Sequence, residues 1–236
     1  AVLLVLILLP WHVSAEMVKL GVMAPRGNAD AMVQWGELGK YLEAQLGEKV
    51  AIVPVVPNEA ESAVKNGKIN FLLSNPVLSV VVQNNHKWGS LASLNSMSGT
   101  QFAGVIISKK GSGITKSKDV VGKNALAFKI KNSAASYVFQ VKHLKDNGVD
   151  AHKDLASISE SKSQDDIVYA IRAGLADVGF IKSGLLEAMT KEGRISLDEF
   201  EIVDKANDGF PQLHTTKLYP EWMVTVSDKI AANQTT

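Results

Sequence analysis

The feature that most constrains the fold of this chain is a series of short apolar segments in which polar and apolar residues do not alternate. Residues 18–22, 50–56, 71–73 and 177–181 are examples. A strand with one solvated face alternates with a period of two, whereas a strand buried on both faces is apolar throughout. We therefore predict an α/β fold in which mostly parallel sheets carry helices on their faces.

Amphipathic helical patterns lie between these segments. Apolar residues recur at helical spacing from Met32 to Leu46, and Gly47 then ends the pattern. Ser163 stands three residues before Asp166, which predicts a capped helix start. Further strands are predicted at residues 91–94, 102–108, 125–130, 155–159, 200–203 and 223–226, and further helices at 59–66, from 74–76, from 132 and at 183–192.

The domain organisation follows from length and from the lack of a linker. The 236 residues suffice for two small domains with a core each. No stretch rich in proline and glycine separates two consecutive domains, which favours a second lobe inserted into the first. We expect the first lobe at residues 16–101, the inserted lobe at 102–200, and a return segment at 201–236 that completes the lobes.

The first residues predict export. Residues 1–10, AVLLVLILLP, form an unbroken apolar run, and Val13-Ser14-Ala15 resembles a small-residue cleavage site. A run of about ten residues is too short to cross a bilayer, which needs about twenty. We predict a signal peptide at residues 1–15, clipped at its start because the usual Met and basic segment are absent. The mature protein is then expected in the periplasm.

Composition argues against several classes of partner and site. Lys and Arg total 25 and Asp and Glu total 24, so no basic surface suited to nucleic acid is expected. The absence of cysteine removes thiolate nucleophiles and thiolate metal sites, and it suits an oxidising compartment. The histidines lack metal-ligand spacing, and no nucleophile-elbow, phosphate-loop or dinucleotide motif is present. We expect no cofactor, no metal and no enzymatic activity.

Three predicted junctions between a strand and the following helix combine small and polar residues. They lie at residues 74–76, 133–136 and 182–184. Ligands of open α/β sheets bind at the carboxyl ends of strands, where the next helix offers N–H groups and the positive end of its dipole. Helix capping is the more common role of each junction taken alone. Because three junctions share one chemistry, together they predict a site for a small oxyanion.

Longer segments carry a family resemblance. Residues 127–137 read AFKIKNSAASY and residues 174–184 read GLADVGFIKSG. They resemble the A-F-x-D-P-x-S-x-S-G-Y and G-x-A-D-x-x-x-x-x-S-G segments of the phosphate/phosphonate-type periplasmic binding proteins, which have the type II fold. Residues 101–106, QFAGVI, 183–194, SGLLEAMTKEGR, and 215–222, TTKLYPEW, are closest to the periplasmic sensor domains of tetrathionate-sensor-like histidine kinases. The resemblance covers about residues 18–226 and implies two lobes with a central cleft.

Departures from the family pattern bear on the ligand. Lys182 stands where binders of amino-phosphonates place an acid, which favours a plain oxyanion. Gln164-Asp165 replaces a His-Asp pair, and Ser136 replaces a glycine. The predicted ligand-binding residues are Ser74, Asn75, Gln101, Ser133, Ala134, Ala135, Ser136, Tyr137, Lys182 and Ser183.

The resemblance leaves two roles open. The first is the sensor domain of a two-component histidine kinase that binds an oxyanion, for example a sulfur oxyanion such as tetrathionate. The second is the substrate-binding component of an ABC importer for phosphate-like, phosphonate-like or sulfur oxyanions. The expected partners are a small anionic ligand and either a kinase module or a permease, and contact with the membrane would be made only through a partner or a segment outside this sequence. A periplasmic enzyme ranks third, because no matched nucleophile and base are present.

Overall fold

The computed structural model describes residues 17–24, 27–96, 98–130 and 133–233. The predicted signal peptide at residues 1–15 lies outside the described residues. In chain order the elements are β1 (Val18–Met23), α1 (Asn28–Leu46), β2 (Val50–Val55), α2 (Ala60–Lys65), β3 (Phe71–Ser74), α3 (Pro76–His86), β4 (Gly89–Ser93), β5 (Gln101–Phe102), β6 (Gly104–Lys109), β7 (Asn124–Phe128), α4 (Phe139–Asp146), α5 (Ala151–Asp154), β8 (Ser157–Ser161), α6 (Gln164–Ala173), β9 (Val178–Lys182), α7 (Leu185–Lys191), β10 (Phe200–Ile202), β11 (Tyr219–Pro220), β12 (Met223–Val226) and α8 (Asp228–Asn233).

The strands form two five-stranded sheets and one two-stranded sheet. The first sheet has the order β2-β1-β3-β12-β4, and the second has the order β10-β6-β9-β7-β8. We call the first sheet with α1–α3 and α8 the first lobe, and the second sheet with α4–α7 the second lobe. The chain leaves the first sheet after β4, builds the second sheet, and returns to the first sheet with β12. The precise boundaries at residues 101 and 200 stay a prediction.

Strand direction in both sheets follows one rule. β1 pairs in parallel with β2 and β3, and β7 pairs in parallel with β8 and β9. β12 is antiparallel to β3 and β4, and β6 is antiparallel to β9 and β10. Each sheet is therefore mixed, with four strands in one direction and one reversed. The reversed strand is β12 in the first sheet and β6 in the second. Each is the first strand that the chain adds to that sheet after arriving from the other lobe, and no crossover helix of the same lobe precedes it.

Both faces of the second sheet are covered, which explains its continuous apolar strands. On β9, Phe180 packs into a cluster on one face and Ile181 into a cluster on the other. On β6, Ile106 and Ile107 divide in the same way. The first lobe likewise has two core clusters. The predicted α/β class with helices on the faces of the sheets is thus confirmed.

Helix ends follow the predicted signals. α1 ends at Gly47, whose backbone is left-handed with φ 68° and whose N–H donates to the Glu43 carbonyl at 3.0 Å. α6 begins after Ser163, whose Oγ accepts the N–H of Asp166 at 3.1 Å. The glycine and serine therefore satisfy backbone groups that a helix end leaves without partners.

Some elements differ from the sequence pattern. β8 begins two residues later than predicted. The prediction started the strand at Leu155 because this residue is apolar, but Leu155 belongs to a core cluster before the strand, and β8 itself is largely exposed. The helix predicted from Asn132 begins as a π-helical turn, Ala134–Val138, which continues into α4. Asn132 itself lies outside the described residues. The short elements α5, β11 and α8 were not predicted, since segments of two to six residues give too little periodicity.

Two short strands carry the chain between the lobes. β5 leads into the second lobe and β11 leads back, and they pair antiparallel with Phe102 opposite Tyr219. The Tyr219 ring stacks on Phe139 at a centroid distance of 3.7 Å. Phe102 and Phe139 are buried with Ala134 and Ala135 in a small apolar cluster of their own. This cluster joins the crossing strands to the π-helical turn.

Candidate functional site

A cleft between the two lobes lies at the carboxyl ends of β7 and β9. It has an outer compartment of about 850 Å³ and an inner compartment of about 70 Å³. Phe128, Gln164 and Lys182 line both compartments and so connect them. The inner volume corresponds to roughly two water molecules in the liquid.

Residues of both lobes line the inner compartment. Met23, Asn75 and Trp222 come from the first lobe, and Phe102 comes from a crossing strand. The second lobe contributes Phe128, Lys129, Ser133, Ala134, Ala135, Gln164 and Lys182. A ligand held here would touch both lobes at once.

The junction after β7 lines the cleft with small residues at the start of a π-helical turn. Ser133 donates its N–H to the Lys129 carbonyl at 2.9 Å, and its own carbonyl accepts the N–H of Val138 at 3.1 Å. That second bond spans five residues and defines the π-helical turn. The N–H groups of the first turn, which include those of Ala134 and Ala135, have no partner within a helix. This geometry suits an anion at the start of the turn.

Ser136 and Tyr137 have side chains that do not line the cleft. Ser136 is fully buried, and its Oγ accepts the N–H of Phe128 at 3.1 Å and donates to the carbonyl of Phe180. Tyr137 places its hydroxyl 3.3 Å from Nε2 of His152 on the far side of the turn. Burial raises the pKa of that phenol above its ordinary value. Both side chains hold the second lobe together at this point.

We expect Ser136→Ala to destabilise the protein by about 1–3 kcal/mol, because it leaves a buried N–H and a buried carbonyl without partners. Urea unfolding measures this change. The dissociation constant of any anion that binds the cleft should change less than about threefold, because the removed hydroxyl points into the sheet. A large loss of affinity with unchanged stability would show instead that this serine contacts the ligand.

The predicted residues of the first lobe also differ in whether their side chains lie in the cleft or in the core. The Ser74 hydroxyl lies 2.9 Å from the Ser79 hydroxyl, and both serines are fully buried. Asn75 caps α3, since its Oδ1 accepts the N–H of Leu78 at 3.0 Å, and it also lines the inner compartment. Gln101 is exposed on β5 and lines neither compartment. Of these three predicted residues, the fold places only Asn75 in the cleft.

Lys182 meets a carboxylate that the sequence analysis did not assign to the cleft. Its Nζ lies 3.2 Å from Oε1 of Glu221 and 4.5 Å from the centroid of the Phe102 ring. The Glu221 side chain is only 4% exposed, and its Oε2 accepts the N–H of Trp222 at 3.1 Å. Glu221 lies between β11 and β12, so this ion pair links the second lobe to the returning chain.

The remaining predicted residue, Ser183, lines the outer compartment at its edge. Its Oγ accepts the N–H of Ala103 at 3.1 Å, and its own N–H donates to the Ala103 carbonyl at 2.9 Å. The serine therefore secures the start of the second lobe against the end of β9. That the ten predicted residues bind a ligand stays a prediction, and the fold brings six of them to the lining of the cleft.

Several lining residues were missed by the sequence analysis. Lys129, Met23, Phe102 and Trp222 were not among the predicted ligand-binding residues, and the first three gave no signal beyond their position near a strand end. Gln164 was noted only as a departure from the family, although its Oε1 accepts the N–H of Lys182 at 2.7 Å. Among the described residues, no cluster of His, Asp and Glu could hold a metal ion. No helix in the described ranges is long and apolar enough to cross a membrane.

Comparisons with known proteins agree with this architecture. The chain is 30% identical over 223 residues to the tetrathionate sensor histidine kinase TtrS of Salmonella typhimurium strain LT2, which covers 90% of this chain and 38% of TtrS. PhnD1 of Prochlorococcus marinus, solved with methylphosphonate, has a TM-score of 0.69 at 15% identity, over 92% of this chain and 78% of PhnD1. XAC2383 of Xanthomonas citri, solved with ATP, has a TM-score of 0.73 at 14% identity, over 90% and 77% of the two chains.

The structural neighbours show the fold, which is that of the type II periplasmic binding proteins. The chain spans less than half the length of TtrS. A family model described as the phosphonate periplasmic substrate-binding protein of ABC transporters matches residues 22–235. The family consists of binding domains, and membership implies a location outside the cytoplasm. With nearly all of its length matched, this chain belongs to the family of phosphonate-type periplasmic substrate-binding proteins.

Proposed function

We propose that this chain binds a small oxyanion between its lobes and acts as the ligand-sensing domain of a histidine kinase. The observation that carries this proposal is the inner compartment, where residues of both lobes lie around one small space. A ligand that contacts both lobes stabilises the closed arrangement relative to an open one. Such differential affinity is what couples binding to a conformational change.

The chemistry of the compartment favours an anion. Ser133 offers a hydroxyl beside the first N–H groups of the π-helical turn, and Lys129 and Lys182 add positive charge. Met23, Phe128 and Trp222 supply polarisable apolar surface. This combination suits an oxyanion that has a soft body, such as a sulfur oxyanion. The name of TtrS, a tetrathionate sensor, supports the same class of ligand.

The kinase role is supported by the 30% identity to TtrS over 223 residues. The alternative is the substrate-binding component of an ABC importer, which the family description and the fold of PhnD1 support. The two roles predict different gene contexts. An apolar segment of about twenty residues and a kinase encoded after Thr236 would support the sensor, whereas neighbouring permease genes would support the importer.

A panel of anions tests the proposal. We expect at least one of tetrathionate, thiosulfate, sulfate, phosphate and methylphosphonate to raise the melting temperature by roughly 5–10 °C at a hundred times its dissociation constant. Sodium chloride at equal ionic strength is the control. The double variant Ser133→Ala, Lys182→Ala should reduce the shift. If no anion stabilises the wild-type protein, the proposal is wrong, and a shift that survives the double substitution would place the site elsewhere.

A further inference from the structure

Three lysines follow three adjacent parallel strands of the second sheet. β8, β7 and β9 are neighbours, and Lys162, Lys129 and Lys182 stand at their carboxyl ends. One residue beyond the pair Phe128↔Ser161, Lys129 comes opposite Lys162. On the other side of β7, Lys182 is the last residue of β9. The three lysines therefore follow or end neighbouring strands at one edge of the sheet, and we call them the lysine row.

The lysine row extends through both compartments of the cleft. Lys129 lines the inner compartment, Lys162 lines the outer one, and Lys182 lines both. The backbone of Lys129 is left-handed, with φ 50°, a conformation that is uncommon for a residue with a side chain. Such residues cluster at ligand sites, where the surrounding structure holds them in place.

The three charges are compensated to different degrees. Lys182 is paired with the buried carboxylate of Glu221 at 3.2 Å. Lys129 lies 3.6 Å from Glu160, but both side chains are nearly half exposed, so water screens that pair. Lys162 is exposed and forms no salt bridge with any residue that the structure describes. The positive charges of the row that protein carboxylates compensate least are therefore those of Lys129 and Lys162.

The other cation of the outer compartment is already occupied. Arg194 lies 2.6 Å from Asp165 and 2.5 Å from Glu192. Lys129 and Lys162 line different compartments, so a ligand with two anionic groups can place one group beside each lysine.

We infer that Lys129 and Lys162 determine specificity in this cleft, and that they select an extended anion with a charged group at each end. One anionic group occupies the inner compartment beside Lys129 and Ser133, and the other lies in the outer compartment beside Lys162. This inference rests on the proposed anion-binding function and adds the ligand's charge distribution to it.

The test compares two anions that differ in their second charge, ethane-1,2-disulfonate and ethanesulfonate, by titration calorimetry, with tetrathionate as a second two-ended probe. We expect wild-type protein to bind the two-ended anions at least tenfold more tightly than ethanesulfonate. Lys162→Gln should weaken disulfonate binding about tenfold, the equivalent of one charge-assisted hydrogen bond, and ethanesulfonate binding less than about twofold. Lys129→Gln should weaken both, because every ligand uses the inner compartment.

Lys123→Gln is the matched control, since Lys123 precedes the amino end of β7, at the opposite end of the same strand. It removes the same charge and should change neither affinity. Lys162→Arg keeps the positive charge and changes the shape of the side chain. It should keep the preference for two-ended anions, which would show that the charge of Lys162 causes the preference. Equal binding of the one-ended and two-ended anions, or an equal loss of both in Lys162→Gln, would overturn the inference. If the wild type binds only sulfate or methylphosphonate, the inference fails while the proposed function stands; if it binds no anion, the proposed function itself fails.

Discussion

Gly104→Ala is expected to destabilise the protein by about 2–4 kcal/mol, because a methyl group at this position has no room. Its Cβ would lie 2.6 Å from Nε2 and 2.7 Å from Cδ of Gln140. Gln140 is fully buried, and the two N–H groups of its amide face three carbonyl oxygens, those of Ala135, Ile181 and Val105, which lie 2.7, 3.0 and 3.3 Å from Nε2. The side chain cannot move without losing hydrogen bonds to these carbonyls.

The consequence would reach the cleft. Gln140 connects the π-helical turn, through Ala135, to β9 and β6. Displacing it should therefore loosen the wall that carries Ser133 and Ala134. Urea unfolding would measure the stability loss, and a weaker affinity for the best anion of the panel would report the loosened wall.

Gly89→Ala provides the control for this prediction. Gly89 begins a strand as Gly104 does, but the nearest atom to its Cβ is 3.9 Å away, on Val226. The free energy of unfolding of the Gly89→Ala protein should differ from that of the wild type by less than about 0.5 kcal/mol. Combining Gly104→Ala with Gln140→Ala should restore part of the loss, because the methyl group would enter the space that the amide leaves. A Gly104→Ala protein as stable as the wild type would contradict the close packing.

Lys182→Met is expected to cost about 2 kcal/mol by leaving the Glu221 carboxylate buried without its cation. Breaking a fully buried ion pair typically costs about 3–5 kcal/mol. The cost is smaller here because the Lys182 side chain is 37% exposed, so water partly replaces the lost partner. Glu221→Gln should cost less, because an uncharged amide of the same shape remains at the Trp222 N–H.

A double-mutant cycle of Lys182→Met and Glu221→Gln measures the coupling, which we expect to exceed about 1 kcal/mol. The pair Lys142–Asp146 is the comparison, since its atoms are closer, at 2.6 Å, but both side chains are largely exposed. Lys142→Met should have little measurable effect. Coupling between Lys182 and Glu221 no larger than that of the exposed pair would show that the link between the lobes carries no stability.

The two interactions together describe how the lobes are connected. The Lys182–Glu221 pair and the Phe139–Tyr219 ring stack both lie where the returning chain passes the second lobe. A ligand in the inner compartment lies next to Lys182, so its negative charge would compete with Glu221 for that lysine.

Local sequence was sufficient for the fold class and for most element ends. Continuous apolar strands predicted burial on both faces, and Phe180 and Ile181 do pack on opposite faces of one sheet. Gly47 and Ser163 predicted helix ends because the backbone requirement at a helix terminus is satisfied by residues next to it in sequence. The motifs around residues 127–137 and 174–184 also identified the family before any contact was known.

The division of the candidate site between cleft and core was decided by the tertiary structure. Ser133 and Ser136 have similar sequence surroundings, yet the turn between them directs one to the cleft and the other to the Phe180 carbonyl. Glu221 lies 39 residues from Lys182, and their pairing depends on the path of the returning chain. Sequence determined the local conformation here because backbone hydrogen bonds at helix ends and strand burial are short-range requirements. Which polar side chains share one space was set only by strand register and by the crossing between the lobes.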